Sequence, residues 1–221
     1  MTPLTAIDYP GVLSAVLFCQ GCPWRCPYCH NPHLQPPWGA TPLRWTEVIA
    51  FLRRRRGLLD AVVFSGGEPT LHEGLAEAIR QVQAMGYLVG LHTAGSFPGR
   101  LAEVLPLLDW VGMDIKAPFD GYDAVTRIPG SGSMAVESLR LLLRSGVEYE
   151  IRTTIGHPLL TEPALCQMAE DLAALGVKNY VLQTCQQPGT PVWVRESRPF
   201  TTLAERLRST HGGRFESFSC R

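Results

Sequence analysis

Ala61-Val-Val-Phe-Ser-Gly-Gly-Glu-Pro69 is the stretch whose reading decides the fold. Its first four residues are apolar, two of them β-branched, and read as a buried strand over 61–64. The glycines then turn the chain into residues 72–85, where Leu75, Ile79 and Val82 repeat at helical spacing. Strand, tight turn and helix make one βα unit, and the same alternation runs outward from it in both directions. Further strands are expected at 12–18, 87–91, 110–115, 148–154 and 180–183. Helices are expected at 46–56, 98–108, 133–144 and 162–175, with Leu139, Leu142 and Leu143 as an apolar stripe. Thr46 is the expected N-cap of the first helix, and Gly86, Gly146 and Gly176 each sit just past a helix end, where a left-handed residue is wanted.

Six strands alternating with five helices imply a parallel sheet made by right-handed crossovers and buried under its helices. Six units are too few for a closed eight-stranded barrel. The expected class is therefore α/β, as a partial (β/α)6 barrel or an open twisted sheet, with ligands gathered beyond the carboxyl ends of the strands. The 221 residues read as a single domain, 1–221, with a Pro-rich connection at 32–42 and an accessory helix and strand at 200–221.

Composition narrows the function classes. Hydrophobic residues make up 45% and charged residues 18%, which fits a chain able to bury a core. Twenty basic residues balance twenty acidic ones, so overall charge gives no reason to expect a nucleic acid or an anionic membrane as partner. No apolar run approaches the ~20 residues of a membrane span. Asp8, Pro10 and Gly11 interrupt the region where a secretory signal would sit. Seven cysteines, an odd number, argue against a disulfide framework and for a reducing cytoplasm.

Four of those cysteines, Cys19, Cys22, Cys26 and Cys29, crowd the loop 19–31 after the first expected strand, which points to a metal. Cys22-Pro-Trp-Arg-Cys26-Pro-Tyr-Cys29 is Cx3Cx2C, and three thiolates on one short loop can ligate three irons of a cubane cluster. The fourth iron stays open, as catalytic metal sites keep a free position. Two prolines, Trp24 and Tyr28 stiffen the loop and keep water out. Ligation by Cys19 would close the open iron; the spacing is complete without it, so Cys19 is expected to be a bystander. Gly66 and Gly67 let backbone approach a ligand closely, and Glu68 offers an acceptor to an ammonium group.

Cx3Cx2C with Tyr28 before its last cysteine, followed by Ser65-Gly-Gly-Glu-Pro69 after the second strand, resembles the radical S-adenosylmethionine (SAM) superfamily. The resemblance implies a 4Fe–4S cluster on Cys22, Cys26 and Cys29 that chelates the amino and carboxylate groups of SAM and cleaves it reductively to a 5′-deoxyadenosyl radical, with no catalytic side chain beyond the cluster and SAM. It implies a SAM pocket lined by Tyr28, Gly66, Gly67, Glu68 and Thr93. Thr93-Ala94-Gly95 resembles the family's Thr-Asn-Gly segment but departs from it at Ala94, and His92 stands where relatives often carry an Asp that helps hold a cation. Asp114, Lys116, Arg152 and Gln183 at later strand ends complete the expected pocket, with Asp114 and Lys116 as a charge pair, since alternation turns them to one side, and Arg152 near the SAM carboxylate.

Asp8-Tyr-Pro-Gly, Cys26-Pro-Tyr-Cys-His-Asn-Pro32, Met113-Asp-Ile-Lys-Ala-Pro118 and Arg152-Thr-Thr together resemble the activating proteins of anaerobic (class III) ribonucleoside-triphosphate reductase, in their longer variant. That resemblance implies a glycyl radical enzyme as protein substrate and flavodoxin or a similar reductant as electron source. Two other classes fit the residues: a radical SAM enzyme acting on a small molecule, like 7-carboxy-7-deazaguanine synthase, and a non-enzymatic four-cysteine metal module. His30 and Asn31 fit the Cys-His-Asn ending of activating enzymes, or simply fix the loop. Cys185 is expected to pack near the catalytic rim, Cys166 and Cys220 to be inert, and Arg53 to Arg56 to spread around a solvated helix.

Overall fold

The computed structural model describes residues 1–39, 43–155, 159–184 and 198–221. Its strands are β1 (Thr2–Thr5), β2 (Ser14–Cys19), β3 (Ala61–Gly66), β4 (Leu88–Thr93), β5 (Trp110–Asp114), β6 (Glu148–Ile155), β7 (Asn179–Thr184) and β8 (Ser217–Cys220). Its helices are α1 (Trp45–Arg55), α2 (Leu75–Gln83), α3 (Pro98–Val104), α4 (Tyr122–Thr126), α5 (Ser131–Ser145), α6 (Glu162–Ala174) and α7 (Arg198–His211). The strands form one sheet in the order β1 to β8, every neighbouring pair parallel except β1 with β2. This is the expected α/β architecture, a partial barrel of parallel strands.

The six expected strands are β2 to β7, and two more flank them. The expected tail is α7 and β8, which adds to β7 with Val181 opposite Ser219. The antiparallel β1 was not expected: four residues containing Pro3 carry no alternation, and only an edge strand tolerates a proline. Core rows follow the register, with Val16, Val63, Gly90 and Trp110 as successive partners across β2 to β5.

Helix ends shift for local reasons. Arg44, not Thr46, caps α1, because the Glu47 carboxylate reaches back to the Arg44 amide (2.8 Å). Helix α3 stops at Val104 and tightens into a 3₁₀ turn at Leu105–Leu107, since Pro106 has no amide hydrogen to continue it. A 3₁₀ turn at Pro69–Leu71 takes the chain from β3 toward α2. Leu75, Ile79 and Val82 of α2 and Leu139 and Leu142 of α5 are buried against the sheet, at roughly 1.5–3 kcal/mol each relative to exposure. Gly86, Gly146 and Gly176 have the left-handed φ expected of them (89°, 76° and 87°). None of the described helices is long and apolar enough to cross a membrane.

Candidate active site

The cysteine loop leaves the carboxyl end of β2 and is fastened on three sides. Gly21 and Cys22 amides donate to the Leu34 and Gln35 carbonyls (2.8 and 3.1 Å), the Gln35 side-chain amide donates to the Cys26 carbonyl (3.2 Å), and the Arg25 amide donates to Thr126 of α4 (2.8 Å). Trp24, 1% exposed, meets the Tyr122 ring edge to face at 5.5 Å. Helix α4 escaped the sequence reading because five residues are too few for a periodic signal. Its contribution is to buttress this loop.

Ser65-Gly-Gly-Glu at the end of β3 packs directly on the loop. The Gly67 amide donates to the Cys19 carbonyl (2.9 Å) and the Glu68 amide to Gly21 (2.8 Å). A Cβ on Gly67 would collide with the Gly21 carbonyl oxygen, and Gly66 adopts φ 115° with Cys19 backbone where a Cβ would go. Both glycines are required by chain-on-chain approach.

Glu68 is the clearest difference from the sequence reading. Its carboxylate is fully buried, lies outside the cavity wall and is engaged by the Thr70 amide (3.1 Å) and hydroxyl (2.6 Å), the Thr93 hydroxyl (2.8 Å) and the Ala94 amide (2.8 Å). It brackets the ends of β3 and β4 together. Burial raises its pKa above the ordinary carboxyl range, and the four donors oppose that rise. Thr93 reaches the cavity, yet its hydroxyl also accepts from the Gly95 amide (3.0 Å).

Across the barrel, Asp114 at the end of β5 bridges two cations. Its Oδ1 accepts from Arg152 Nε (2.9 Å) and its Oδ2 from Lys116 Nζ (3.2 Å), the charge pair expected from alternation. Arg152 also donates to the Gly112 carbonyl (3.2 Å), and the Tyr122 hydroxyl accepts from the Lys116 amide (3.0 Å). Burial works to raise the Asp114 pKa, but Arg152 and Lys116 overcome it and hold the carboxyl well below its usual range. Asp114 in turn outweighs the burial of Lys116 and keeps its ammonium charged. His92 is neutral: burial, then the Arg152 charge, pull it down to about 3. Its Nε2–H donates to the Asp8 carbonyl (2.7 Å) and its Nδ1 accepts from Ser65 (3.2 Å).

These pieces enclose one cavity of about 280 Å3 at the carboxyl ends of the strands. Cys22, Cys26, Cys29, Tyr28, Gly66, Gly67, Thr93, Asp114, Lys116, Arg152 and Gln183 all line it, as do Asp8, Phe18, His92 and Thr154. Of the expected pocket residues only Glu68 lies outside the wall. Cys19 is also outside it, its thiol pushed up to about 12 by burial; Cys185 lies outside the described residues. Asp8 and Phe18 were missed, although Asp8-Tyr-Pro-Gly had marked the N-terminal segment.

The cavity fits a cubane cluster. Burial pushes Cys22 up to about 11 and raises Cys26, each partly opposed by the Lys116 ammonium, so these thiols ionise on meeting iron rather than before it. Among the described residues no three His, Cys, Asp or Glu side chains converge on a position for a single metal ion. Three thiols on one wall of the cavity match a donor set in which each thiolate takes a separate iron. The Trp24 indole N–H is buried in the same wall with no hydrogen-bond acceptor among the described residues.

Parallel barrel, three-cysteine loop and glycine turn define a class: residues 16–174 match the radical SAM superfamily, and the chain belongs to it. Members of that superfamily use a 4Fe–4S cluster and SAM. Nearer relatives sharpen the placement. The chain is 34% identical over 193 residues to an inferred glycyl-radical enzyme activating enzyme of Methanocaldococcus jannaschii, covering 83% of this chain and 76% of that protein. It is 35% identical over 163 residues to the pyruvate formate-lyase-activating enzyme of Clostridium pasteurianum, covering 71% of this chain and 66% of that one. Among solved structures, SuiB of Streptococcus suis bound to SAM superposes with TM-score 0.71 at 10% identity over 95% of this chain, which spans about half of SuiB. A structure of anSMEcpe with bound SAM gives 0.70 at 16% identity, covering 93% of this chain and 63% of that one.

Proposed function

We propose that this protein is a single-domain, cytoplasmic activating enzyme that uses SAM to install a glycyl radical in anaerobic ribonucleoside-triphosphate reductase. The observation that carries this reading is the convergence of the Cys22, Cys26 and Cys29 loop, the Gly66-Gly67 turn and the Asp114–Arg152–Lys116 cluster on one cavity. The kinship with activating enzymes and the resemblance of the strand-end segments to reductase activators support the choice of substrate.

In this reading Cys22, Cys26 and Cys29 hold the cluster. Gly66 and Gly67 present bare backbone to the amino end of SAM, while Arg152 and Lys116, already oriented by Asp114, face its carboxylate. Thr93, Gln183 and Tyr28 line the remaining wall, and the buried Trp24 ring helps exclude water from it. A cluster and SAM bound there would supply the chemistry: one electron from an outside reductant would cleave SAM to methionine and a 5′-deoxyadenosyl radical able to take a hydrogen atom from a glycine Cα of the partner. Flavodoxin or a similar carrier is the proposed reductant.

Electron paramagnetic resonance of the reduced, cluster-loaded protein with and without SAM tests the reading: the cluster signal is expected to change shape on adding SAM, and an unchanged signal overturns it. Incubation with the anaerobic reductase, SAM and reduced flavodoxin is expected to yield a glycyl radical doublet on the reductase. SAM cleavage without that doublet points to a small-molecule substrate and rejects the reductase as partner.

A further inference from the structure

Trp24 stands midway in sequence between Cys22 and Cys26, and its indole N–H is a buried donor with no acceptor among the described residues. The side chain is 1% exposed and lines the cavity, yet Nε1 has no acceptor among the described residues. An indole can only donate, and an unmet buried donor costs on the order of 1–3 kcal/mol. Packing alone would be served by phenylalanine. The surroundings also hold the ring still: its face-to-edge contact with Tyr122, the Arg25 amide bond to Thr126 (2.8 Å) and the Arg25 guanidinium bond to the Trp24 carbonyl (3.0 Å) fix both backbone and ring.

We propose that Trp24 Nε1–H is a hydrogen-bond donor to a sulfur of the cluster held by Cys22, Cys26 and Cys29, and that it raises the reduction potential of that cluster. This rests on the cluster assignment made above. The physical argument is one of charge. Reduction adds an electron to an already anionic thiolate and sulfide framework, so a fixed donor stabilises the reduced form more than the oxidised form. Trp24 is thus a positioning and tuning residue, acting on the cofactor rather than on substrate.

The test is an anaerobic redox titration of reconstituted protein, followed by the cluster's electron paramagnetic resonance signal, for wild type and Trp24→Phe. A hydrogen bond of about 1 kcal/mol corresponds to a roughly fivefold lower ratio of reduced to oxidised cluster in the variant at a fixed potential. Benzothienylalanine at position 24, which keeps the indole shape without the N–H, is expected to give the same fall and removes the risk that a smaller ring unfolds the loop. In deuterated buffer, an exchangeable deuteron coupled to the reduced cluster is expected in wild type and lost in both variants. Equal titration curves and an unchanged deuteron coupling, with iron content intact, overturn the proposal and assign the N–H to the Tyr122 ring face. A wild-type protein that assembles no cluster overturns the cluster assignment itself, a result distinguishable by iron analysis before any titration.

Discussion

The two walls of the cavity are built by different physics. On the β2–β3 side the cysteine loop and the glycine turn are held almost wholly by main-chain hydrogen bonds, Gly21 to Leu34, Gly67 to Cys19 and Glu68 to Gly21, so the side chains that matter are thiols and absences of side chain. On the β5–β6 side position comes from charge: Asp114 orients Arg152 and Lys116 directly. A backbone-held wall tolerates changes in most of its side chains but none in its ligands, whereas a charge-held wall is sensitive at every member. The largest expected effect follows on the first wall. Cys22→Ser, Cys26→Ser or Cys29→Ser abolishes assembly of a stable 4Fe–4S cluster, read by iron and sulfide content and by the loss of SAM cleavage. Cys19→Ser leaves both near wild type, because Cys19 engages the site through its carbonyl, not its thiol. A Cys19→Ser protein without cluster would break the distinction.

The charged wall fails differently. Asp114→Asn removes the bridge and leaves two buried cations without their carboxylate. Fully buried pairs lose about 3–5 kcal/mol this way; with Asp114 30% exposed, about 2–3 kcal/mol is expected in urea unfolding at pH 7. The acid dependence carries a sign. Asp114 has a depressed pKa in the fold, so its contribution is complete above the ordinary carboxyl pKa near 4 and fades as pH falls below that. The gap between wild type and Asp114→Asn is expected to narrow in acid. Iron content is expected to survive while SAM affinity falls, which would separate the two walls functionally.

How much of this was legible in the sequence differs between the walls for the same reason. The thiol wall is local: Cx3Cx2C and Ser65-Gly-Gly-Glu sit in two short strings, and the βα period places them at strand ends. The Asp114–Lys116 pair is local too, and alternation along β5 gives it. The bridge from Asp114 to Arg152 spans 38 residues and depends on the register of β5 against β6, which periodicity does not encode. Strand β1 and helix α4 are too short to leave a pattern, so the buttress on Trp24 was invisible. The sequence reading left out the internal partners of Glu68. Only tertiary contact brings the Thr93 hydroxyl and Ala94 amide, about 25 residues away, onto its carboxylate.

Glu68 joins the two walls and supplies a smaller, opposite effect. Glu68→Gln places an amide NH2 where one oxygen accepts from the Ala94 amide or the Thr93 hydroxyl, leaving a buried donor unmet, at about 1–3 kcal/mol. Its folded pKa is raised by burial, so the stability it contributes is complete below the ordinary carboxyl range and fades as pH rises through the folded value. The gap between wild type and Glu68→Gln is therefore expected to widen in acid, where the Asp114→Asn gap narrows. Parallel unfolding curves from pH 3 to pH 8 check this. Gaps that move in the same direction would show that the two carboxyls do not differ as their surroundings require.

The smallest effect belongs to charges at the other end of the barrel. Helices in a βα unit run back from the carboxyl ends of the strands, so Arg53, Arg54 and Arg55, in the last turn of α1, lie away from the cavity, and all three are exposed. Arg55 rests over the Phe51 ring at 5.4 Å, and Arg56, just past the helix, reaches the Met85 carbonyl (3.0 Å); Arg54 has neither anchor. Arg54→Ala is expected to change stability by no more than about 0.5 kcal/mol and to leave iron content and SAM cleavage unchanged. The same test separates burial from charge as the source of sensitivity. Arg152 and Arg54 carry the same group, and only the one enclosed with a carboxylate is expected to matter. A large loss of SAM cleavage in Arg54→Ala would place a partner contact on α1, and the comparison would then have to include the far end of the barrel.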